Sequence, residues 1–234
     1  MKIALLGYGK MGRIIEEVAV SRNHSIVAKV NSKLGLKDIS DADVAIDFSV
    51  PNAAASNIYS CFDKNIPIVV GTTGWYDQFP AIEGQAKADG SSLFYATNFS
   101  VGVNIFFELN KKLAETMNRF PAYEPSMLEI HHTEKLDTPS GTAITLGEGL
   151  LENIDRKSEW IKGQAFKEQE LSINSRREPE VPGTHEITYS SSVDEISIKH
   201  EAKNRMGFAT GAVIAAEWLV GKSGVFTMRD LLKI

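Results

Sequence analysis

The stretch that most constrains the fold is Gly7-Tyr8-Gly9-Lys10-Met11-Gly12, which follows the apolar run Lys2 to Leu6 directly. After it, Met11, Ile14, Ile15 and Val18 recur at helical spacing, so the order reads strand, glycine turn, helix. In that context each glycine has a separate task. Gly7 permits the tight turn, Gly9 lets the backbone approach a pyrophosphate, and Gly12 lets helix pack on strand. The helix start adds N–H groups and a positive dipole end for the phosphates. The spacing predicts a dinucleotide site, and with it an open parallel sheet.

The next segments continue that pattern. Ser25 to Asn31 reads as a second strand, whose end grips the adenosine ribose. NAD-selective sites place Asp or Glu there; this chain has Asn31, Ser32 and Lys33. Asn31 can bond a ribose hydroxyl and Lys33 can meet a 2′-phosphate, which predicts use of NADH or NADPH alike. Val44 to Phe48 is a third strand, joined to the second by a short irregular loop. Pro51 opens a helix that runs to Asp63, and Ile66 to Val70 is a strand buried on both faces. It ends in the ligand-type turn Gly71-Thr72-Thr73. A helix over Tyr76 to Asp89 and a strand over Ser92 to Ala96 complete a Rossmann-like, doubly wound α/β half.

Beyond it the pattern changes. Val103 to Arg119 is a long helix that packs through Ile105, Leu109, Leu113 and Met117. Pro121 and Pro125 mark a boundary. Ser126 to Thr133 alternates as a strand, and Thr142 to Asn153 is helical. Residues 155 to 168 predict a loop or short helical piece. Glu170 to Arg177, Thr184 to Ser190 and Glu195 to Ala202 read as antiparallel strands. Helices over Phe208 to Val220 and Val225 to Ile234 close the chain. The division expected is a dinucleotide-binding domain of residues 1–100 and 206–234, and an α+β substrate-binding and oligomerisation domain of residues 101–205 with an open mixed or antiparallel sheet.

Chemistry gathers in Glu129-Ile-His-His-Thr-Glu-Lys-Leu-Asp-Thr-Pro-Ser-Gly-Thr-Ala143. Histidine suits general acid–base work because its reference pKa lies near neutrality. Lys135 supplies a cation. Pro139 ends the extended segment, and the N–H groups of Ser140, Gly141 and Thr142 open a helix as a carboxylate site. Neighbours on a strand point to opposite faces, so His131 and His132 have different jobs unless the strand ends between them. The histidines with Glu134 and Asp137 lack zinc spacing, so no metal is expected. Ser140 is not in a Gly-x-Ser-x-Gly elbow, which excludes that hydrolase class.

Composition narrows the partners. Net charge is −5 with no long basic run, so nucleic acid is not expected. No apolar run approaches a membrane span, and Met1 leads into a strand with no leader pattern. With a single cysteine, Cys61, the reading is a cytoplasmic protein.

Linked motifs then carry a family resemblance: Gly7 to Arg13, Asp47-Phe48-Ser49, Gly71 to Gly74, Ala96 to Ser100, His131-His132-x-x-Lys135-x-Asp137-x-Pro139-Ser-Gly-Thr-Ala143, Gly183-Thr-His185, and His200 to Gly211. In this order they resemble the 4-hydroxy-tetrahydrodipicolinate (dihydrodipicolinate) reductase family of lysine and diaminopimelate biosynthesis. The resemblance implies reduction of a small cyclic dicarboxylate by NADH or NADPH with loss of water, in a homotetramer. It implies His131 as proton donor or acceptor with Lys135 as its partner. His132, Gly141 and Thr142 would hold substrate carboxylate. The turn with Tyr8, Lys10 and Met11, then Gly71 to Thr73, Ala96, Thr97, Asn98 and Phe99, would hold cofactor, with Arg205 and Phe208 near it. Asn31 stands where the family's acidic residue is expected, and Thr133-Glu134 replaces a basic pair. Two other readings fit the motifs less well: a dehydrogenase of another amino-acid intermediate, and a dinucleotide sensor without chemistry, which has no use for an acid aimed at a carboxylate.

Overall fold

The computed structural model describes residues 1–31, 38–204 and 206–234. The chain divides into two compact units, Met1–Val101 with Met206–Ile234, and Gly102–Arg205.

The first unit is built on a six-stranded parallel sheet: β1 (Lys2–Leu6), β2 (Ser25–Val30), β3 (Val44–Asp47), β4 (Ile68–Val70), β5 (Ser92–Tyr95) and β11 (Gly224–Phe226), in the order β11-β5-β4-β3-β1-β2. Alternation along the strands assigns each side chain to a face. Ile3, Leu5, Val44, Ile46, Val69 and Phe94 pack against α1 (Lys10–Ser21) and α6 (Met206–Leu219). Ala4, Leu6, Ala45, Ile68, Val70 and Leu93 pack against α2 (Pro51–Phe62) and α3 (Phe79–Asp89). Two apolar faces on one sheet require helices on both sides, and this doubly wound, Rossmann-like arrangement supplies them. Strand order reverses between β1 and β3, so the crevice at their carboxyl ends is the topological switch point.

The second unit has a five-stranded mixed sheet, β10-β9-β6-β8-β7, made of β6 (Glu124–His131), β7 (Glu159–Lys162), β8 (Glu170–Arg177), β9 (Gly183–Ser190) and β10 (Glu195–Ala202). Its core joins Met127, Leu171, Ile173, Ile187 and Tyr189 to α4 (Val101–Met117) and α5 (Gly141–Leu151), through Phe106, Ala114, Ala143, Leu146 and Leu150.

Four sequence expectations are corrected. The segment 155 to 168 contains the edge strand β7, whose apolar content is only Trp160 and Ile161, too little to show in the pattern. Strand β8 is parallel to β6 rather than a hairpin partner of β9. The Pro179–Pro182 segment carries the chain past the end of β6, with Glu178 N donating to His131 O at 2.9 Å. Val225 and Phe226 lie in β11, paired with β5, and the closing helix α7 is only Met228–Leu232. Thr227 and Asp230 form a capping box that starts it there. On α4 the buried residues are Val103, Phe106, Asn110, Ala114 and Met117, while Ile105 and Leu109 are 44% and 52% exposed. Counting only apolar residues misplaced that face, because Asn110 is buried with its amide donating to Leu146 O at 2.9 Å.

Close packing of α6 turns on Gly211, where a Cβ would come within 1.7 Å of Phe99 O. No side-chain rotation relieves a backbone clash. Gly211→Ala is therefore expected to destabilise the protein by about 3 kcal/mol, read as a lowered urea midpoint; an unchanged midpoint would show that the helix can shift freely.

Candidate active site

In the first unit the glycine turn leaves β1 under tight restraint. Gly7 has φ +96° and a Cβ there would come within 2.2 Å of Phe48 O. A Cβ on Gly12 would press on Gly7 O at 2.5 Å, and one on Gly71 would enter the Phe48 ring at 2.3 Å. Gly9 differs: a Cβ there meets nothing within 4 Å, so its bare backbone faces open space. That space is a cavity of about 880 Å³ at the switch point, lined among others by Gly7, Tyr8, Gly9, Lys10 and Asn31. A neighbouring cavity of about 420 Å³ takes in Met11, Gly71, Thr72 and Thr73.

Most of the residues expected to hold cofactor thus share one crevice. Asn31 donates to Tyr8 O at 3.3 Å, and the Tyr8 ring lies under Lys29 and Arg13, with centroid distances of 4.8 and 5.2 Å. Ala96, Thr97, Asn98 and Phe99 line neither cavity. Phe99 is 2% exposed, with its ring 5.7 Å from Phe48 and 5.8 Å from Phe94, so it packs as core. Phe208 is partly buried in the first turn of α6. Ser32, Lys33 and Arg205 lie outside the described residues.

The sequence reading gave no role to Asp47, a fully buried carboxylate at the end of β3. It accepts from Ser49 N and Oγ at 3.0 and 2.8 Å, from Asn57 Nδ2 at 2.6 Å, and from the Thr72 hydroxyl. It therefore ties the turn after β3 to the turn after β4, both of which border the smaller cavity together with the glycine turn.

In the second unit β6 buries Pro125, Met127, Glu129 and His131 on one face. The strand ends at His131, and His132, partly buried, begins the following turn, with Lys135 N donating to His132 O at 3.1 Å. The register explains what meets Glu129 and His131. Ser175 of β8 and His185 of β9 flank Glu129 directly, and His200 of β10 flanks His185. The next pair is His131 with Arg177. Toward the start of β6 the same face is apolar, so the sheet changes from oil to polar rows at this end.

Glu129 is 0% exposed. Its oxygens accept from Ser140 N at 3.1 and 3.2 Å and from Ser175 Oγ at 2.7 Å. Arg177 Nη2 stands 3.5 Å away, and His131 Nδ1 3.3 Å, off the line of an ideal hydrogen bond. Burial alone would raise this carboxyl, but the nearby His131 imidazole and hydrogen bonds from Ser140 and Ser175 outweigh it and hold Glu129 well below the usual carboxylate range. The Ser140 N–H is accordingly not open to a ligand, which corrects the expectation of a wholly free helix start: Glu129 fills the anion position that the helix dipole creates. The Ser140 hydroxyl is also engaged, capping Ala143 N at 3.2 Å and lying 3.2 Å from His185 Nε2. Gly141, next in line, is exposed, and a Cβ there meets nothing within 4 Å. Thr142 is partly buried beside it.

Lys135 binds Asp137 at 2.7 and 2.8 Å, and the carboxylate beside His131 is Glu129. The turn is held from below by Arg177, which donates to Lys135 O at 3.2 Å, Asp137 O at 2.7 Å and Thr138 Oγ1 at 2.8 Å. Glu129, His131 and His185 offer ligand-type atoms within 4.8 Å of one another, yet the carboxylate is already taken by Ser140, Ser175 and Arg177. Sequence reasoning gave no role to Glu129, Ser175, Arg177 or His185. Period-two spacing from His131 could have found Glu129; the others depend on register.

Comparison with known proteins adds the following. The family profile described as dihydrodipicolinate reductase, N-terminus, matches residues 1–99, and the C-terminus profile matches residues 102–232. A 4-hydroxy-tetrahydrodipicolinate reductase of Christiangramia forsetii is 52% identical, over 99% of this chain and 98% of that protein. One of the same name from Rickettsia bellii is 36% identical, over 96% and 91%. Among solved structures, a dipicolinate-bound dihydrodipicolinate reductase from Paenisporosarcina sp. TG-14 superposes with TM-score 0.77 over 97% of each chain, at 22% identity, a likeness of fold.

The polar row has a consequence for stability. Burial, with repulsion between the His185 and His131 rings when both are protonated, pushes His185 down to about 3. An unfolded histidine titrates near ~6.5, so as pH falls the unfolded chain takes up the proton first. Stability from this group is present above that value and is lost as pH falls toward 3, at about 1.4 kcal/mol per pH unit. Burial lowers His200 as well, in the same sense, while the contribution of Glu129, held low, starts to be lost only as pH falls through the unfolded carboxylate value of ~4.3. Urea unfolding between about pH 6.5 and 4.5 is expected to show a shallower loss in His185→Gln than in the unaltered protein; equal slopes would contradict a neutral, buried His185.

Proposed function

The chain belongs to the dihydrodipicolinate reductase family, and on that premise we propose that it reduces 4-hydroxy-tetrahydrodipicolinate to tetrahydrodipicolinate, with loss of water, in lysine and diaminopimelate biosynthesis. The observation that carries the reading is 52% identity over essentially the whole chain, so both family halves are present in one polypeptide. When bound, the nicotinamide cofactor supplies the hydride.

The residues fit such a cofactor. Gly7 and Gly12 shape a turn that no side chain could occupy, and Gly9 offers bare backbone to the cavity. Tyr8, Lys10 and Asn31 border it on the adenosine side, and Met11, Gly71, Thr72 and Thr73 on the other. We assign acceptance of both NADH and NADPH. Asn31 carries no charge to repel a 2′-phosphate, and the exposed cations Lys10 and Arg13 line the same cavity.

In the second unit His131 moves the proton and Lys135 meets a substrate carboxylate, which must compete with Asp137 for the ammonium. His132, with Gly141 and Thr142 past the cap at Ser140, receives the other carboxylate, which the positive end of the helix dipole favours. Arg205 and Phe208 belong near the cofactor in this reading. So do Ala96, Thr97, Asn98 and Phe99, the last of these through its backbone. The proposal extends to a cytoplasmic location and a homotetramer.

A coupled assay with dihydrodipicolinate synthase, following absorbance of NADH and NADPH, tests the reading; oxidation of neither would sink it. The two cofactors are expected to give kcat/KM values within about tenfold of each other, and a wider gap would show the Asn31 argument to be wrong. Lys135→Ala is expected to lower turnover about a hundredfold with NADPH affinity intact. Collapse of NADPH binding would move Lys135 to the cofactor site.

A further inference from the structure

We propose that Glu129 is the positioning residue of this reduction: one closed carboxylate fixes the His131 imidazole, the turn that carries Lys135, and the start of α5. The proposal rests on the reaction assigned above.

The geometry comes from sheet periodicity. Glu129 and His131 are two residues apart on β6, so both project from the same face. Cross-strand neighbours then deliver Ser175 on one side of Glu129 and His185 on the other. With no exposed surface, Glu129 cannot touch substrate. Everything it contacts is a part that must be placed.

Three connections run outward. Oε2 stands 3.3 Å from His131 Nδ1, off the line of an ideal hydrogen bond, and that buried nitrogen has no hydrogen-bond partner among the described residues, so Glu129 is the acceptor at hand. An imidazole with a carboxylate at Nδ1 keeps its proton there, which leaves Nε2 as the atom that exchanges a proton with substrate. Space at Nε2 is guarded by Gly183, where a Cβ would stand 3.1 Å from it. The second connection passes through Arg177, 3.5 Å from Oε1, whose guanidinium also holds the carbonyls of Lys135 and Asp137. The third runs through the Ser140 N–H to the first residue of α5. His185 closes the remaining side, with Nε2 3.9 Å from Oε2 and 3.2 Å from the Ser140 hydroxyl.

A purely structural glutamate and a positioning one differ in the tautomer of His131. Nitrogen-15 NMR of the imidazoles in the full-length protein, with His131→Asn for assignment, reads this directly. Unaltered protein is expected to hold the Nδ1–H form. Glu129→Gln keeps the volume and an acceptor oxygen but not the charge, and should shift His131 mainly to Nε2–H. Its kcat should fall about a hundredfold, with KM and cofactor affinity within about threefold. An unchanged tautomer overturns the proposal whatever kcat does, and so does an unchanged kcat. Should Glu129→Gln fail to fold, Arg177→Lys tests the second connection: a drop in kcat of about tenfold with His131 still Nδ1–H supports it, and no drop overturns it. If the unaltered protein shows no turnover, the assigned reaction fails, while the tautomer measurement still decides whether Glu129 sets His131.

Discussion

A carboxylate with no access to water persists only if its charge is met by donors on every side. Glu129 is such a group, and the second unit is arranged to satisfy it. Removing one partner of a buried charge costs about 3–5 kcal/mol, so β6, β8, β9 and α5 cannot be moved independently. Ser175 reaches it from β8, the Ser140 N–H from α5, and His185 lies beside it on β9. The sheet register and the helix start are therefore one constraint. The parallel pairing of β6 with β8 sets Ser175 opposite Glu129 and Arg177 opposite His131 in one register.

The first unit is restrained differently. Its restraints are steric and act through backbone: Gly7 against Phe48, Gly12 against Gly7, Gly211 against Phe99. Such contacts tolerate no side chain but do not depend on charge or pH. A buried polar knot there, Asp47 with Ser49, Asn57 and Thr72, ties two turns together, and the Gly9 backbone beside them faces open space. Bare peptide suits a pyrophosphate, which needs N–H groups and close approach more than any particular side chain.

These two kinds of restraint explain what the sequence disclosed. Steric restraint leaves glycines at fixed offsets, so the turn after β1, the parallel sheet and the switch-point crevice were legible at once. The histidine stretch was legible as a cluster, but β6 ends at His131 and His132 begins the turn, so strand alternation does not by itself separate the two histidines. Register was not legible. Nothing local to Ser175, Arg177 or His185 says that they stand beside Glu129 and His131, because that depends on β8 and β9 flanking β6 from opposite sides. The α4 face was misjudged for a related reason: Asn110 is buried by a hydrogen bond to another helix, a relation no periodicity records. Edge strand β7 and β11 were missed because three or four residues carry too little pattern.

The helix N-terminus at Ser140 shows how the two levels interact. Seen as sequence, Ser-Gly-Thr after a proline is an open anion site. In the folded chain the strongest part of that site, the capped first N–H, is already held by a carboxylate from β6. On the proposed reading, an incoming carboxylate is thereby displaced one step along the helix start, to Gly141 and Thr142. Glu129 occupies the inner position with its negative charge, which opposes a second anion deeper in the sheet. In that reading the internal anion sets the depth of the external one, near the end of β6, where the strand stops at His131.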